Sequence, residues 1–549
     1  MRLQTMNSSR RSESTVDLLE SKCARPRVQA LAVAAMLCYF AVNALIAARA
    51  HTPTVDEFVD MPIGLYHLET RRFDMDRGNP PLVKMLTAIP LLFHDVRLDL
   101  DPRWRGDGDG WWPWVFGTKF MHDNAAAYLD LFFVGRMVII GLGTLLGLGV
   151  FFWARHLFGA TAALAALLLY STCPTVLGHS SLATLDVGVT TFLFGGFLSL
   201  FQLAKTRSLK WAAASGTLFG LALTAKFTTL FFLPLIPFLL AVEWLPRDAA
   251  GMLRWVGVLA LFVLFFVLGI DAGYLFSGLP LPGALIDGIR LRIQIGQTGE
   301  FPSFLLGAWA DKGWRSYYLV AMLYKMPLPF LLLLLVGLSG LLRGMLPWKT
   351  ALWIGLPAPV LLYVMSFHYQ VNYGIRWLLP VIPFLILIAA LGIHMLLRRG
   401  RFTVGFLFGL LVWQAATSYF AAPHHLAYFN ELAGGPDRAR EILLDSNLDW
   451  GQDLGRLKSY MTSHSIPSIR LAYFGHVDPR LYGIQYTLPP STPEPGLYAI
   501  SANYLKGYPY AITYLGPAVT NVLPGAWTWL DHYNPIARVG RSIFIFKID

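Results

Sequence analysis

Apolar runs long enough to cross a bilayer recur from residue 28 to residue 420, and no other feature limits the fold so strongly. A spanning helix needs about 20 mostly apolar residues. Backbone N–H and C=O groups in hydrocarbon must also pair within the segment, which favours helices. Eleven segments fit: 28–48, 131–153, 159–177, 187–204, 210–224, 227–244, 255–275, 327–345, 350–366, 378–397 and 403–420. The chain is 55% hydrophobic and 14% charged, whereas a soluble domain carries about a quarter charged residues. The expected fold class is a polytopic α-helical membrane protein.

Residues 1–27 are basic and read as a cytoplasmic tail. Ala48-Arg49-Ala50 looks like a signal-peptidase site, but the preceding run exceeds the roughly 7–15 residues of a secretory h-region and reads as a retained first span. Lys and Arg mark the cytoplasmic loops. Arg10, Arg11, Lys22, Arg25 and Arg27 lie before span one. Arg155, then Lys205, Arg207 and Lys210, then Arg247 and Arg254, then Arg343 and Lys349, then Arg398, Arg399 and Arg401 fall on alternate loops of the same side. The N-terminus is therefore expected inside and the C-terminus outside. The net charge of +11 follows from this bias and from attraction to anionic lipid headgroups, without a basic stripe of the nucleic-acid-binding kind.

The outer face then owns four segments. Loop 49–130 within the core region 28–420 is expected to hold interfacial helices, with Trp111-Trp112-Pro113-Trp114 at headgroup level. Gly178–Asp186 is a short link and 276–326 a second long loop. Residues 421–549 are polar and lack spans. A helix over 450–463 and strands over 469–475, 497–501 and 542–547 predict an extracytoplasmic α/β domain. Its lack of cysteine means it folds without disulfides, since Cys23, Cys38 and Cys173 all lie earlier.

The ionisable residues that collect on this outer face are the candidate site. Asp56 and Glu57 follow span one, and Lys84 follows Asn79-Pro80-Pro81. His179 and Asp186 flank span four, Lys226 sits in a tight link, Lys325 precedes Pro327, and Arg376 opens span ten. Outer Lys and Arg at span ends run against the positive-inside bias, which raises their functional weight. A cation facing a phosphate stabilises it as a leaving group. A nearby carboxylate can take the proton of an attacking hydroxyl. Hydrolysis of a glycoside would instead need a paired carboxylic acid. Structural readings stand beside these. Asp56 or Glu57 could cap an interfacial helix, Thr54 and Asp56 being good N-caps, and Asp186 could cap span four. The cations could snorkel to lipid phosphates, and His179 reads more readily as a hydrogen-bonded structural residue. No metal-ligand spacing, P-loop or dinucleotide fingerprint is present.

Asp56-Glu57 with NPPLVK at 79–84 resembles the protein O-mannosyltransferases, whose loop reads Asp-Glu and later His-Pro-Pro-Leu-x-Lys. HSSLATLDVGVT and GLALTAKFTTL are similar to segments of bacterial glycosyltransferase family 39, which includes the aminoarabinose transferase of lipid A. YFNELAGGP and LLDSNLDWGQDL within 428–454 resemble an outer-domain signature of bacterial members. The resemblance implies a C-type glycosyltransferase fold, Asp56 as base, Asp186 as a second acid, and Lys84, Lys226 and Arg376 near a donor phosphate. Asn79 where the eukaryotic members have His, and a different outer domain, weigh against a protein acceptor. The expected function is transfer of a hexosyl or pentosyl group, with inversion, from a polyprenyl-phosphate sugar to a hydroxyl of a glycan, lipid or protein at the outer face of a bacterial inner membrane. No cofactor or metal is required by this scheme. A flippase or transporter for lipid-linked sugar is the alternative, and a third reading makes 421–549 a partner-recruiting module.

Overall fold

The computed structural model describes residues 23, 25–101, 112–245, 248–298, 302–368, 371–435, 438–508, 511–512, 520–521, 523 and 525–549. The tail residues Arg10, Arg11 and Lys22, together with Trp111 and Arg247, lie outside the described residues. The first helix, α1 (Pro26–Ala50), leads into α2 (Val55–Thr70), α3 (Leu82–Ala88) and α4 (Trp112–Asp123), the helices of the first long loop. The bundle continues with α5 (Tyr128–Phe158), α6 (Ala160–Ser171), α7 (Pro174–Ser180), α8 (Leu185–Thr206), α9 (Leu209–Ala225), α10 (Leu235–Glu243) and α11 (Ala249–Gly273). The second long loop holds α12 (Gly283–Thr298) and the hairpin β1 (Ser303–Leu305) and β2 (Ala308–Ala310). Then come α13 (Tyr317–Lys325), α14 (Leu328–Leu342), α15 (Trp348–Gly355), α16 (Pro357–Phe367), α17 (Ile382–Leu397) and α18 (Arg401–Ala421).

Each expected span falls on a helix or a broken helix. Among the described residues, six helices are long and apolar enough to cross a membrane alone: α1, α5, α8, α11, α18 and the unit Ile375–Leu397. Three more segments are bent pairs: α6 with α7 at 58°, α13 with α14 at 119°, and α15 with α16 at 42°. Pro174, Pro327 and Pro357 sit at these breaks, where a missing N–H and a fixed φ end one helix and start the next. The segments expected at 210–224 and 227–244 are shorter than a full span: α9 has 17 residues, and a 3-10 turn over Phe227–Phe232 separates it from α10. The Gly-rich stretch of α5 is a packing surface, and the Tyr170 hydroxyl donates to the Gly143 carbonyl at 2.5 Å.

The C-terminal region carries α19 (Leu454–Ser463) and a five-stranded mixed sheet in the order β4-β3-β5-β9-β8. These strands are β3 (Ile469–Ala472), β4 (Tyr486–Thr487), β5 (Gly496–Ser501), β8 (Ala537–Val539) and β9 (Ile543–Ile548). β6 (Ala511–Ile512) and β7 (Thr520–Asn521) form a separate pair, and α20 (Ala502–Leu505) follows β5. The expected helix and three strands are all present. β3 runs parallel to β4 and β5, and β9 runs antiparallel to β5 and β8.

Two close approaches set the site. A Cβ at Gly64 would collide with the Lys84 carbonyl, so only glycine lets α2 lie against α3. Gly374 has φ +86°, and a Cβ there would collide with Ser446 Oγ. This glycine therefore lets the C-terminal region press on the 3-10 segment Ile375–Val381, the start of the span that holds Arg376.

Candidate active site

A cavity of about 310 Å³ opens between α2, the loop before α3, α8, α12 and the 3-10 segment. Its polar wall includes Asp56, Asp60, Asp76, Arg77, Asn79, Asp186, Lys226, Arg292 and Arg376. Asp56 stands in the first turn of α2, and its Oδ2 accepts from Arg376 Nη1 at 2.5 Å. Arg376 also lies 3.7 Å from Asp186 Oδ2. Asp186, in the first turn of α8, accepts from Lys226 Nζ at 2.5 Å. The result is an alternating chain, Asp56–Arg376–Asp186–Lys226. Two aromatic faces flank it: Trp450 lies 4.4 Å from the Arg376 guanidinium and Trp377 lies 4.3 Å from the Lys226 ammonium. Of the chain's two carboxylates, Asp186 is almost fully buried, whereas the Asp56 side chain keeps 33% exposure.

A second network lies beside this chain. Lys84 is fully buried, donates to Asp76 and stands 3.6 Å from Asp60. Asn79 donates to Asp76 Oδ2 at 3.2 Å, and Arg292 of α12 donates to the Gly78 carbonyl and to Asn79 Oδ1. Burial, aided by the Asp56 and Asp76 charges, outweighs Lys84 and pushes the Asp60 carboxyl up, to about 8.

The sequence-derived candidates thus divide. Asp56, Asn79, Asp186, Lys226 and Arg376 share the chamber wall. Lys84 is behind Asp76 rather than on the wall. Glu57 is fully buried and follows its capping reading. It accepts from Thr54 N at 2.8 Å, from Ala183 N at 2.6 Å, and from Arg136 Nε and Nη2, each at 2.7 Å. Burial works to raise its carboxyl, but Arg136 and these N–H donors hold it below the usual range. Lys325 turns to the C-terminal region, donating to the carbonyls of Leu426 at 2.8 Å and Asn447 at 2.5 Å. His179 is buried edge-on to Trp450 at 6.2 Å and is not part of the chamber wall.

Further residues shape the site or its support. Asp60 follows Asp56 by one helical turn, which places both on one face. Asp76 lies three residues before Asn79. Arg136, a lone cation inside an apolar run, lies off the chamber wall and holds Glu57. Trp450 lies in the LLDSNLDWGQDL stretch, whose resemblance marks the C-terminal domain and says nothing of the chamber. It reaches the site because the loop 445–453 folds onto the membrane core. Asn447 Oδ1 accepts from Ile375 N at 2.9 Å, Ser446 donates to the Tyr373 carbonyl at 2.9 Å, and Val55 N donates to the Trp450 carbonyl at 3.2 Å. Asp445 belongs to the same loop. Burial raises its carboxyl to about 6 against the pull of Arg376. Trp114, expected in the membrane's aromatic belt, instead lines the chamber and packs 4.2 Å from His476 of the C-terminal region.

A mostly apolar cavity of about 240 Å³ adjoins the chamber. It is walled by Phe227, Leu230, Phe231, Ile289 and Ile293. Gly78, Asn79, Lys226, Arg292 and Trp377 are common to both cavities. The site therefore pairs a charged compartment with an apolar one, and two cations stand at their boundary.

Residues 128–270 match the family model of dolichyl-phosphate-mannose-protein mannosyltransferases. No curated protein matches the chain in sequence. Among solved structures, the chain is similar to ArnT from Cupriavidus metallidurans bound to undecaprenyl phosphate, with 15% identity and a TM-score of 0.52 over 95% of this chain and 98% of that one. Apo ArnT from the same organism aligns at 12% identity and a TM-score of 0.49 over 94% and 97% of the two chains. The S. cerevisiae Pmt1-Pmt2 complex bound to its sugar donor aligns at 18% identity and a TM-score of 0.32, over 48% of this chain and 35% of that one. Over nearly its whole length the chain thus shares the fold of the solved ArnT structure, and its long apolar helices make it a multi-pass membrane protein of that fold.

Proposed function

We propose that the protein is a membrane glycosyltransferase that moves a sugar from a polyprenyl-monophosphate donor to an acceptor hydroxyl, with inversion at the anomeric carbon. One observation carries this reading. The chamber with Asp56, Asp186, Lys226 and Arg376 continues into an apolar cavity through Lys226, Arg292, Asn79 and Trp377. A lipid-linked sugar has the same division, with a chain for the apolar part, a phosphate for the boundary and a sugar for the polar part. That the similar ArnT structure holds undecaprenyl phosphate supports it.

In this scheme the donor phosphate enters between Lys226, Arg292 and Arg376. Both Lys226 and Arg376 are already held by carboxylates, so they are oriented before the phosphate arrives. Phosphate oxygens replace Asp56 as the acceptor from Arg376, and Asp56 becomes available. The acceptor oxygen attacks the anomeric carbon as its proton passes to Asp56, and the bond from that carbon to the phosphate oxygen breaks. Polyprenyl phosphate leaves with the electron pair, its added charge offset by the cations. Asp186 keeps Lys226 in place throughout. Lys84 acts at one remove, by fixing Asp76 and with it Asn79. The scheme uses no metal or cofactor and places the chamber on the outer face of the membrane, with the N-terminus inside.

The test is release of polyprenyl phosphate from a panel of synthetic polyprenyl-phosphate sugars by the full-length protein in nanodiscs, with glycan, lipid and peptide acceptors. Release that disappears in Asp56→Asn supports the transferase reading. Tight binding of donor with no release for any acceptor, equal in wild type and Asp56→Asn, overturns it in favour of a carrier of lipid-linked sugar.

A further inference from the structure

Trp114 of α4 is half-buried and lines the reaction chamber but not the adjoining apolar cavity. His476 packs on its indole with ring centres 4.2 Å apart and planes at 32°, and Phe58 of α2 lies 6.4 Å away at 16°. Burial pushes the His476 imidazole down, to about 3, so it packs as a neutral aromatic ring. Phe58 and His476 are themselves 5.3 Å apart. Rings on opposite faces of the indole would stand more than 6.4 Å apart, so both back it from one side. The other side is presented to the chamber. Trp377, a second indole of the wall, is taken up by the Lys226 ammonium at 4.3 Å, whereas Trp114 meets no cation among the described residues.

Asp60 of α2, two residues after Phe58, is on the same chamber wall, and its side chain keeps 5% exposure. Lys84 at 3.6 Å is its ion-pair partner, and no hydrogen bond reaches either carboxyl oxygen among the described residues. Both oxygens nevertheless keep accessible surface. With its carboxyl raised to about 8, Asp60 is mostly protonated at neutral pH and both donates and accepts. Asn79, Lys226, Arg292 and Trp377 line both cavities, whereas Trp114 and Asp60 line the charged one alone. Counted from a lipid tail in the apolar cavity, the group beyond the phosphate is therefore the one that reaches them.

We infer that Trp114 and Asp60 form the subsite for the sugar ring of the donor, with the indole stacked on a face of C–H groups and the carboxyl hydrogen-bonded to a ring hydroxyl. The inference rests on the lipid-linked donor proposed above. Sugar C–H bonds are polarised by the neighbouring oxygens, and the face of an indole is negative, so the two attract as well as exclude water. A buried carboxyl short of hydrogen bonds gains from a hydroxyl that both gives and takes one. Because His476 backs the indole, the C-terminal region helps to position the ring.

The test uses full-length protein in nonionic detergent and compares, by calorimetry and without acceptor, binding of farnesyl phosphate with that of its mannosyl, glucosyl, galactosyl and arabinosyl derivatives. Wild type is expected to bind at least one glycosylated probe more tightly than farnesyl phosphate. Trp114→Leu is expected to weaken that probe about tenfold, a change of about 1.4 kcal/mol, with farnesyl phosphate unchanged. Trp114→Phe, which keeps a ring, should recover most of the loss. Asp60→Ala is the further variant and is expected to weaken the same probe severalfold even where Trp114→Leu fails to fold. No preference of wild type for any glycosylated probe, equal loss of both kinds of probe, or affinities unchanged in both variants overturns the inference. Binding is read apart from transfer. A sugar-selective loss in a protein that transfers no sugar therefore supports the subsite and overturns the transferase reading alone.

Discussion

The guanidinium of Arg376 lies 4.4 Å from the Trp450 ring centre while its Nη1 donates to Asp56 Oδ2 at 2.5 Å. A cation from the membrane core is thus held on one side by a carboxylate of the first loop and on the other by an indole of the C-terminal region. A desolvated cation–π contact contributes up to about 2 kcal/mol. Trp450→Leu is expected to lower kcat/KM by about tenfold, and Trp450→Phe by much less. Steady-state kinetics of both, at matched unfolding temperature, check this. Equal loss in both variants would refute the stacking role.

Asp186 and Lys226 are expected to behave as a unit. Asp186→Asn leaves the Lys226 ammonium without its anchor, and Lys226→Gln leaves a buried carboxylate unpaired. Each should reduce turnover by about a hundredfold, and the double variant should be no worse than the poorer single one. Multiplicative losses in a double-mutant cycle would show that the two side chains act separately.

The adjacent acids Asp56 and Glu57 should separate activity from stability. Glu57→Gln breaks a buried ion pair and leaves Arg136 uncompensated, a loss of about 3–5 kcal/mol. Its thermal unfolding in detergent should shift down strongly. Asp56→Asn should unfold near the wild-type temperature and lack turnover. The reverse pattern would exchange their roles.

Asp449 predicts a pH dependence. Burial raises its carboxyl from 3.8 to about 8, against the Ser501 and Gly451 hydrogen bonds that favour its charged form. The folded state then binds more protons than the unfolded state between these values. Its stability contribution is fully present below pH 3.8 and is lost as pH rises toward about 8. Asp449→Asn should flatten that slope and stabilise the protein at pH 8 relative to wild type. Unfolding midpoints across pH 4–8 test this, and parallel curves for the two proteins would refute it.

Much of this architecture is legible from local signals. Hydrophobic run length marks the spans, and period-2 patterning marks β3, β5 and β9. Asp56, Asp186, Lys226 and Arg376 stand out because each is an ionisable group at a span end. Run length does not distinguish a straight span from a bent pair, and so Pro174 and Pro327 decide the shapes of α6–α7 and α13–α14. Glu57 and Asp56 look alike in sequence, and only the direction of one helical turn sends the first to Arg136 and the second to the chamber. Arg292 joins the site through contacts some 213 residues distant in sequence, and the LLDSNLDWGQDL stretch does not say that its Trp450 meets Arg376; local patterning has no signal for either contact.

The loop 445–453 holds Tyr373, Ile375, Val55 and Arg376 through Ser446, Asn447 and Trp450. The C-terminal region is therefore not an interchangeable module. A chimera that grafts another C-terminal domain at residue 421 would keep a spanning bundle with its cations misaligned, whereas a graft that retains 445–453 would keep the chamber. The rest of the C-terminal sheet can then vary in sequence while this short loop stays tied to the geometry of the chamber.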